Sequence, residues 1–227
     1  SSLPPANSSG ALPVRRIAAN TSGALPVRRI ALLVSGLLRE ASTVHQQNMA
    51  MLLTGNPGAS IDVFACVGPF DGSGGTRSSI GQGVTEQTLR NVYGKALAAS
   101  HIGDPHPSVL SEGARALYVQ PSRTWSAGLN TEIMRWRWWR VHAMMVRHAA
   151  ARRLRSYDVA IWQRPDVRLE SRFPARPCLS FAEQQREGDV IFITSPLTRE
   201  AAAHNRDWDF AFWGRPDSIA LVLTQFE

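Results

Sequence analysis

The feature that most constrains the fold is an alternation between short apolar runs and longer segments with helical periodicity. No run approaches the roughly 18 uncharged apolar residues that a membrane-spanning helix needs. Strands that are apolar throughout are typically buried on both faces, and their alternation with helices is typical of a mostly parallel sheet. The sequence therefore predicts an α/β fold with helices on both faces of the sheet. The predicted strands are 29–34, 60–67, the run around 159–162, and 188–195.

The helices are expected between these strands. A first helix should open within 35–40 and end near Leu53, a second should occupy 84–99, and a last one should begin near Pro216. The segment 100–128 is expected to be a loop, with a possible short strand at 116–120.

The clearest helix covers 130–156. Asn130 or Thr131 can cap it, and Glu132 suits the positive end of its dipole. Residues spaced by three or four positions should form its buried face. These residues are Met134, Trp138, Val141, Met145 and Ala149.

The N-terminal segment is rich in Ser, Pro and Asn and contains a duplication. Residues 7–18 recur almost unchanged as 20–31, and only the second copy continues into a strand. We expect residues 1–26 to form a disordered tail and 27–227 to form one domain. Because the chain lacks an initiator Met and stops within a helical pattern, we expect a fragment that is truncated at its C-terminus. Its localisation is left open between the secretory pathway and the cytoplasm.

Charge and cysteine content exclude some classes of function. The net charge is +7, but Lys95 is the only lysine among 25 basic residues, so the arginines reflect a general bias rather than a phosphate-binding track. Nucleic-acid binding is therefore not expected. Cys66 and Cys178 are too far apart for a metal knuckle and are expected to be buried thiols. The histidines show no H-E-x-x-H pattern.

The strand around 159–162 ends in an unusual cluster, Arg164, Pro165 and Asp166. In a parallel sheet, ligands bind beyond the carboxyl ends of the strands. A carboxylate in such a position can hold a divalent cation that bridges phosphate oxygens, and Arg164 can pair with a phosphate or with Asp166. The alternative is a structural Arg–Asp pair in a surface turn.

Two further stretches carry candidate residues. Ser35 and Gly36 lie where the first strand turns into its helix, which suits the approach of a nucleotide. Arg39 follows closely enough to pair with the negative charge of a phosphate. Asp207 and Asp209 lie two apart before an apolar run, so on a strand they would share a face and converge on one cation or one hydroxyl. A solvated loop is the other interpretation of this second pair.

The stretch 136–140 alternates Trp and Arg. Stacking on bases would require the rings to form one platform. On a helix, however, Trp136, Trp138 and Trp139 spread around the axis. Core packing is favoured, with the arginines on the solvent side.

Taken together, four stretches resemble a group of nucleotide-sugar-dependent glycosyltransferases with a Rossmann-like, GT-A-type fold. They are RIALLVSGLLRE, DVFACV, YDVAIWQRPDVRL and RDWDFAFWG, and the resemblance covers roughly 28–227. In that family the strand that ends in Arg-Pro-Asp occupies the place of a metal-binding D-x-D motif. Here Asp166 keeps the last carboxylate, while Arg164 stands where the first would be.

The resemblance implies transfer of a sugar from a nucleoside diphosphate donor to a hydroxyl of a glycan, protein or lipid acceptor. It implies a divalent cation, Mn or Mg, on Asp166. Donor contacts would come from Ser35, Gly36, Arg39 and Arg164. Asp209 or Asp207 would position or deprotonate the acceptor hydroxyl. The alternative is an inactive or binding-only relative whose basic surface holds an anionic glycan or nucleic acid.

Overall fold

The computed structural model of the protein describes residues 27–71, 82–118, 127–154, 156–169, 191–193 and 211–224. Within these ranges six strands and five α-helices follow one another along the chain. The strands are β1 (Arg29–Gly36), β2 (Ser60–Val67), β3 (Leu97–Ile102), β4 (Val159–Gln163), β5 (Ile191–Ile193) and β6 (Ala211–Gly214). The helices are α1 (Ala41–Gly55), α2 (Glu86–Tyr93), α3 (Glu112–Tyr118), α4 (Ala127–Ala151) and α5 (Pro216–Leu223).

The strands form one sheet in the order β3-β2-β1-β4-β6-β5. β1 pairs in parallel with β2 and β4, and β2 pairs in parallel with β3. β6 runs antiparallel to both of its neighbours, so the other five strands all point the same way. The prediction of an α/β fold with a mostly parallel sheet is therefore confirmed.

Both faces of the sheet are covered by helices, because the side chains of each strand alternate between two cores. Ile30, Leu32 and Val34 of β1 pack with residues of α1 and α2 on one face. Ala31 and Leu33 pack with residues of α4 and α5 on the other. The predicted apolar side of α4 lies in this second core, as its periodicity indicated. None of the described helices is long and apolar enough to cross a membrane.

The structure corrects several expected boundaries on the first half of the chain. α1 begins at Ala41 rather than within 35–40 and ends at Gly55. The helix expected at 84–99 ends at Tyr93, and the chain then forms β3, an edge strand that the sequence analysis did not predict. Thr85 ends the preceding loop with a reciprocal capping box to Thr88, which explains why α2 begins at Glu86.

Two expectations for the middle of the chain are also wrong. The possible strand at 116–120 overlaps α3, which runs to Tyr118. α4 is already helical at Ala127, so Asn130 and Thr131 lie inside it and do not cap it. Glu132 instead accepts hydrogen bonds from the amide and hydroxyl of Ser111, the residue before α3, and so ties α3 to α4.

Candidate functional site

The strand order reverses between β1 and β4, and a cavity lies at that point. From β1 the chain moves outward to β2 and β3 and then returns to the opposite side of β1 to form β4. In open α/β sheets this is where a crevice opens beyond the carboxyl ends of the strands. A cavity of about 230 Å³ lies there, walled by the ends of β1 and β4 and by the first turns of α4. Its lining includes Ser35, Gly36, Arg39, Arg164 and Asp166, the five candidate residues that fall in the described part of the chain.

Asp166 is bonded by two arginines. Arg164 binds it side-on, with Nε 3.0 Å from Oδ1 and Nη2 2.8 Å from Oδ2. Arg39 adds a third bond, from Nη1 to Oδ2 at 2.8 Å. Among the described residues, two positive charges thus meet one negative charge, which leaves these three side chains with an excess of one positive charge at the mouth of the crevice.

The two arginines also determine the protonation of Asp166. Burial alone would raise the pKa of this carboxyl, but the hydrogen bonds and charges of Arg164 and Arg39 outweigh burial and hold the pKa below its ordinary value. Asp166 is therefore ionised at neutral pH. Its negative charge compensates part of the guanidinium charge whenever no other anion is present.

Arg39 has an unusual backbone conformation at this site. Its φ of 38° lies in the left-handed region, which is unfavourable for a residue with a Cβ. Its amide N–H donates to the carbonyl of Asp71 at 2.6 Å, which anchors the backbone there. Its side chain, in contrast, is nearly half exposed, at 45%. A fixed backbone thus carries a side chain that reaches the mouth of the cavity.

The turn that carries Asp166 is held from the side of α1. Asn48 is fully buried, its Nδ2 donates to the carbonyl of Val167 at 2.7 Å, and its Oδ1 accepts from the amide of Leu169 at 2.8 Å. Gln47 adds a bond from Nε2 to the carbonyl of Leu169 at 3.1 Å. Both groups of the Asn48 carboxamide are therefore used to fix the backbone directly after Asp166.

Gly36 allows β1 and the Arg-Pro-Asp turn to approach closely. Its φ is +138°, and a Cβ at this position would lie 3.3 Å from Cδ of Pro165. Next to it, the buried Ser35 accepts a hydrogen bond from the indole N–H of Trp162 at 2.8 Å. Ser35 therefore lines the cavity but also joins β1 to β4.

A second ion pair, which was not predicted from the sequence, lies in the cavity wall between Arg137 of α4 and Asp104. Nη2 of Arg137 lies 2.6 Å from Oδ1 of Asp104, and both side chains are largely buried. A Cβ on Gly68, which follows β2, would lie 3.0 Å from that same Nη2, so glycine leaves room for the guanidinium. One sequence signal could have indicated Asp104. Gly103 and Asp104 directly follow β3, just as Gly36 ends β1. Because β3 was not predicted, this position was not recognised as the end of a strand.

The Trp/Arg run is largely a packing feature. Trp136 and Trp138 are buried, and Trp138 contacts Trp162, which stacks on Phe212 with ring centroids 4.8 Å apart. Core packing is confirmed for these two rings. The expectation that the arginines face solvent is wrong for Arg137, which is 8% exposed because it turns toward the cavity and Asp104.

Several predicted residues lie outside the described part of the chain. They are Asp207 and Asp209, the candidate acceptor-side carboxylates, together with the tail 1–26 and Cys178. Cys66 is described and buried, and burial raises the pKa of its thiol to about 12. It is therefore a packed thiol and not a nucleophile at neutral pH.

The side chains around Asp166 suit an anion better than a cation. Both of its oxygens already accept from guanidinium groups, and the other carboxylate in the cavity, Asp104, is bonded to Arg137. Hard divalent cations need oxygen ligands that are not neutralised in this way. Among the described residues, no three His, Cys, Asp or Glu side chains are grouped as metal ligands would be. The cation on Asp166 stays a prediction.

No protein-family model, curated protein or solved structure matches this chain.

Proposed function

We propose that the protein is a glycosyltransferase of GT-A type that binds a nucleoside diphosphate sugar in this cavity and transfers the sugar to a hydroxyl. One observation carries the proposal. Arg39 and Arg164 converge on Asp166 beyond the carboxyl ends of β1 and β4, where the strand order reverses and a cavity opens. This position and its excess of positive charge suit a diphosphate.

The chemistry asks little of the protein beyond positioning and charge. When the bond between the sugar and the diphosphate breaks, negative charge develops on the leaving diphosphate. The guanidinium groups of Arg39 and Arg164 are preorganised to stabilise that charge. Trp162 and Leu129, which line the same cavity, provide apolar surface for the rest of the donor. The acceptor hydroxyl would be positioned or deprotonated by Asp209 or Asp207.

The first experiment measures donor binding. The chain is titrated calorimetrically with a panel of nucleoside diphosphates, once with EDTA and once with manganese. Saturable binding of one nucleotide is expected, with weaker binding in Arg164→Gln. Binding that appears only with manganese would show that a bound cation, and not the arginines alone, supplies the positive charge that holds the diphosphate. No binding of any nucleotide under either condition would overturn the proposal.

The second experiment measures transfer of a radiolabelled sugar by wild type, Asp209→Asn and Asp207→Asn. Loss of an acceptor-side base should lower turnover by about 10²–10⁴-fold and leave donor affinity nearly unchanged. We expect the larger loss at Asp209, which directly precedes the apolar run. A larger loss at Asp207 would shift the assignment by two residues.

A binding-only protein is the second candidate, and the state of the cavity carboxylates favours it. Asp104 and Asp166 are each bonded to arginine, so neither is placed to act as a base. In that case the nucleotide would bind but no sugar would be transferred to any hydroxyl acceptor, water included.

A further inference from the structure

The two arginines on Asp166 do not hold it in the same way. Arg164 makes the side-on pair through Nε and Nη2, whereas Arg39 donates a single hydrogen bond from Nη1. Side-on pairs are the stronger and more directional of the two. The Arg39 side chain is also the more exposed, at 45% against 27% for Arg164. Arg39 is therefore the partner that can leave Asp166 at the lower cost.

Asp166 itself cannot follow an incoming ligand. Its turn is fixed by the two hydrogen bonds of Asn48 to Val167 and Leu169, and Pro165 packs against Gly36. The backbone of Arg39 is also fixed, because its amide N–H donates a hydrogen bond to the carbonyl of Asp71. The movable part of the cluster is thus the Arg39 side chain, which a second anion can attract away from the carboxylate.

We propose that Asp166 is an internal counter-ion for Arg39, and that a ligand with a diphosphate group replaces it there. The assignment of a nucleoside diphosphate as that ligand rests on the function proposed above, whereas the replacement itself depends only on the ligand's charge. Asp166 then acts as a selectivity device. A diphosphate carries more negative charge than the carboxylate and outcompetes it, whereas a singly charged anion does not.

If Asp166 is a counter-ion, loss of its charge should tighten diphosphate binding. If Asp166 were a cation ligand, the same change should weaken that binding. Removing a negative charge within several ångströms of a bound diphosphate should tighten its binding by at least about fivefold, since the Asp166 side chain is largely buried and water screens its charge less than that of an exposed group. Calorimetric titration with inorganic pyrophosphate and with uridine diphosphate, in EDTA, should therefore give tighter binding to Asp166→Asn than to wild type. The matched control is Glu40→Gln, which makes the same change of net charge beside Arg39 at an exposed side chain. It should change the affinity less than twofold by comparison, since solvent screens exposed charges.

A double-mutant cycle shows whether the gain passes through Arg39. Arg39→Gln should weaken pyrophosphate binding about tenfold, and in that background Asp166→Asn should give a smaller gain than in wild type, because only the direct repulsion between carboxylate and diphosphate remains to be removed. An equal gain in both backgrounds would contradict the counter-ion role. Arg28→Gln is the control for net charge, because Arg28 is exposed at the other end of β1. Circular dichroism verifies that each variant is folded. If Asp166→Asn does not fold, Arg39→Gln decides, and unchanged pyrophosphate affinity in that variant overturns the inference.

The remaining outcomes separate this inference from the proposed function. If pyrophosphate binding tightens as expected but no nucleoside diphosphate binds, the counter-ion stands and the proposed donor fails. If a nucleotide binds and Asp166→Asn weakens or does not change that binding, the donor stands and the counter-ion is wrong. If neither pyrophosphate nor any nucleotide binds wild type, both are wrong.

Discussion

Asn48 is hydrogen-bonded to Val167 across 119 positions of sequence, with Nδ2 2.7 Å from the carbonyl oxygen. This bond and its companion to Leu169 place the backbone after Asp166 under the control of α1. α1 follows directly from the segment that carries Arg39. The two halves of the charged cluster are therefore positioned by one continuous stretch of chain.

Asn48→Ala should lower the free energy of unfolding by about 2–4 kcal/mol. It leaves the buried amide donor of Leu169 and the part-buried carbonyl acceptor of Val167 without partners, and a buried unsatisfied group costs about 1–3 kcal/mol. Urea unfolding measures the loss. Gln47→Ala is the control, because its bond to Leu169 is longer and only partly buried, and it should cost about 1 kcal/mol or less. Equal losses in the two variants would contradict this role of Asn48.

Gly36→Ala should damage both stability and ligand binding. The new Cβ is strained at φ +138° and meets Pro165, so we expect a loss of about 1–3 kcal/mol and weaker pyrophosphate binding. Gly58→Ala separates the two causes, since Gly58 also has a positive φ, +82°, but no atom lies within 4 Å of its Cβ position. It should lose stability alone. Unaltered binding in Gly36→Ala would show that Pro165 adjusts without moving the cluster.

Arg137 and Asp104 should show strong energetic coupling. Breaking a buried ion pair by removing one partner costs about 3–5 kcal/mol, and the slight exposure of this pair reduces the expectation to about 2–4 kcal/mol. Arg137→Met and Asp104→Asn should each be destabilised by this amount in urea unfolding. The double variant should lose clearly less than the sum of the two. Strict additivity would mean that the pair contributes nothing beyond its separate members.

His45 should make stability depend on pH. It is buried against the edge of Tyr93, and burial lowers its pKa from 6.5 to about 4. Between these values the unfolded chain binds a proton that the folded protein excludes, so stability falls as the pH decreases from about 6.5 to about 4. The loss should approach about 3 kcal/mol, and His45→Phe should remove it. Parallel stability profiles of the two proteins over this range would refute the assignment.

The parts of the fold that the sequence predicted are those with strong local patterns. β2 matches the predicted range residue for residue, and β1 and α5 begin where they were expected, because an apolar run and a proline at a helix start need no distant partner to be recognised. β3 was missed for the opposite reason. Its Ala, Ser and His residues have little strand preference, and the pairing with β2 stabilises it at the edge of the sheet.

The candidate site shows the same difference between features with a local sequence pattern and features that depend on distant partners. The sequence indicated Ser35, Gly36, Arg39, Arg164 and Asp166 one by one, because each stands at the end of a recognisable strand. The contact between Arg39 and Asp166 spans 127 positions and could not be predicted from local pattern. Arg137 was harder still to predict, because its partner Asp104 follows β3, a strand that the sequence did not indicate.

Gly68 has a consequence for genetics. An alanine there would bring Cβ within 2.9 Å of Cδ2 of Leu37 and 3.0 Å of Nη2 of Arg137, both at the ends of side chains that line the cavity. The end of Leu37 can move aside, but the guanidinium of Arg137 is held by its largely buried pair with Asp104 and cannot move without straining that pair. A screen of random variants should therefore recover position 68 among the alleles that lower abundance as well as function, far in sequence from the arginine that it disturbs.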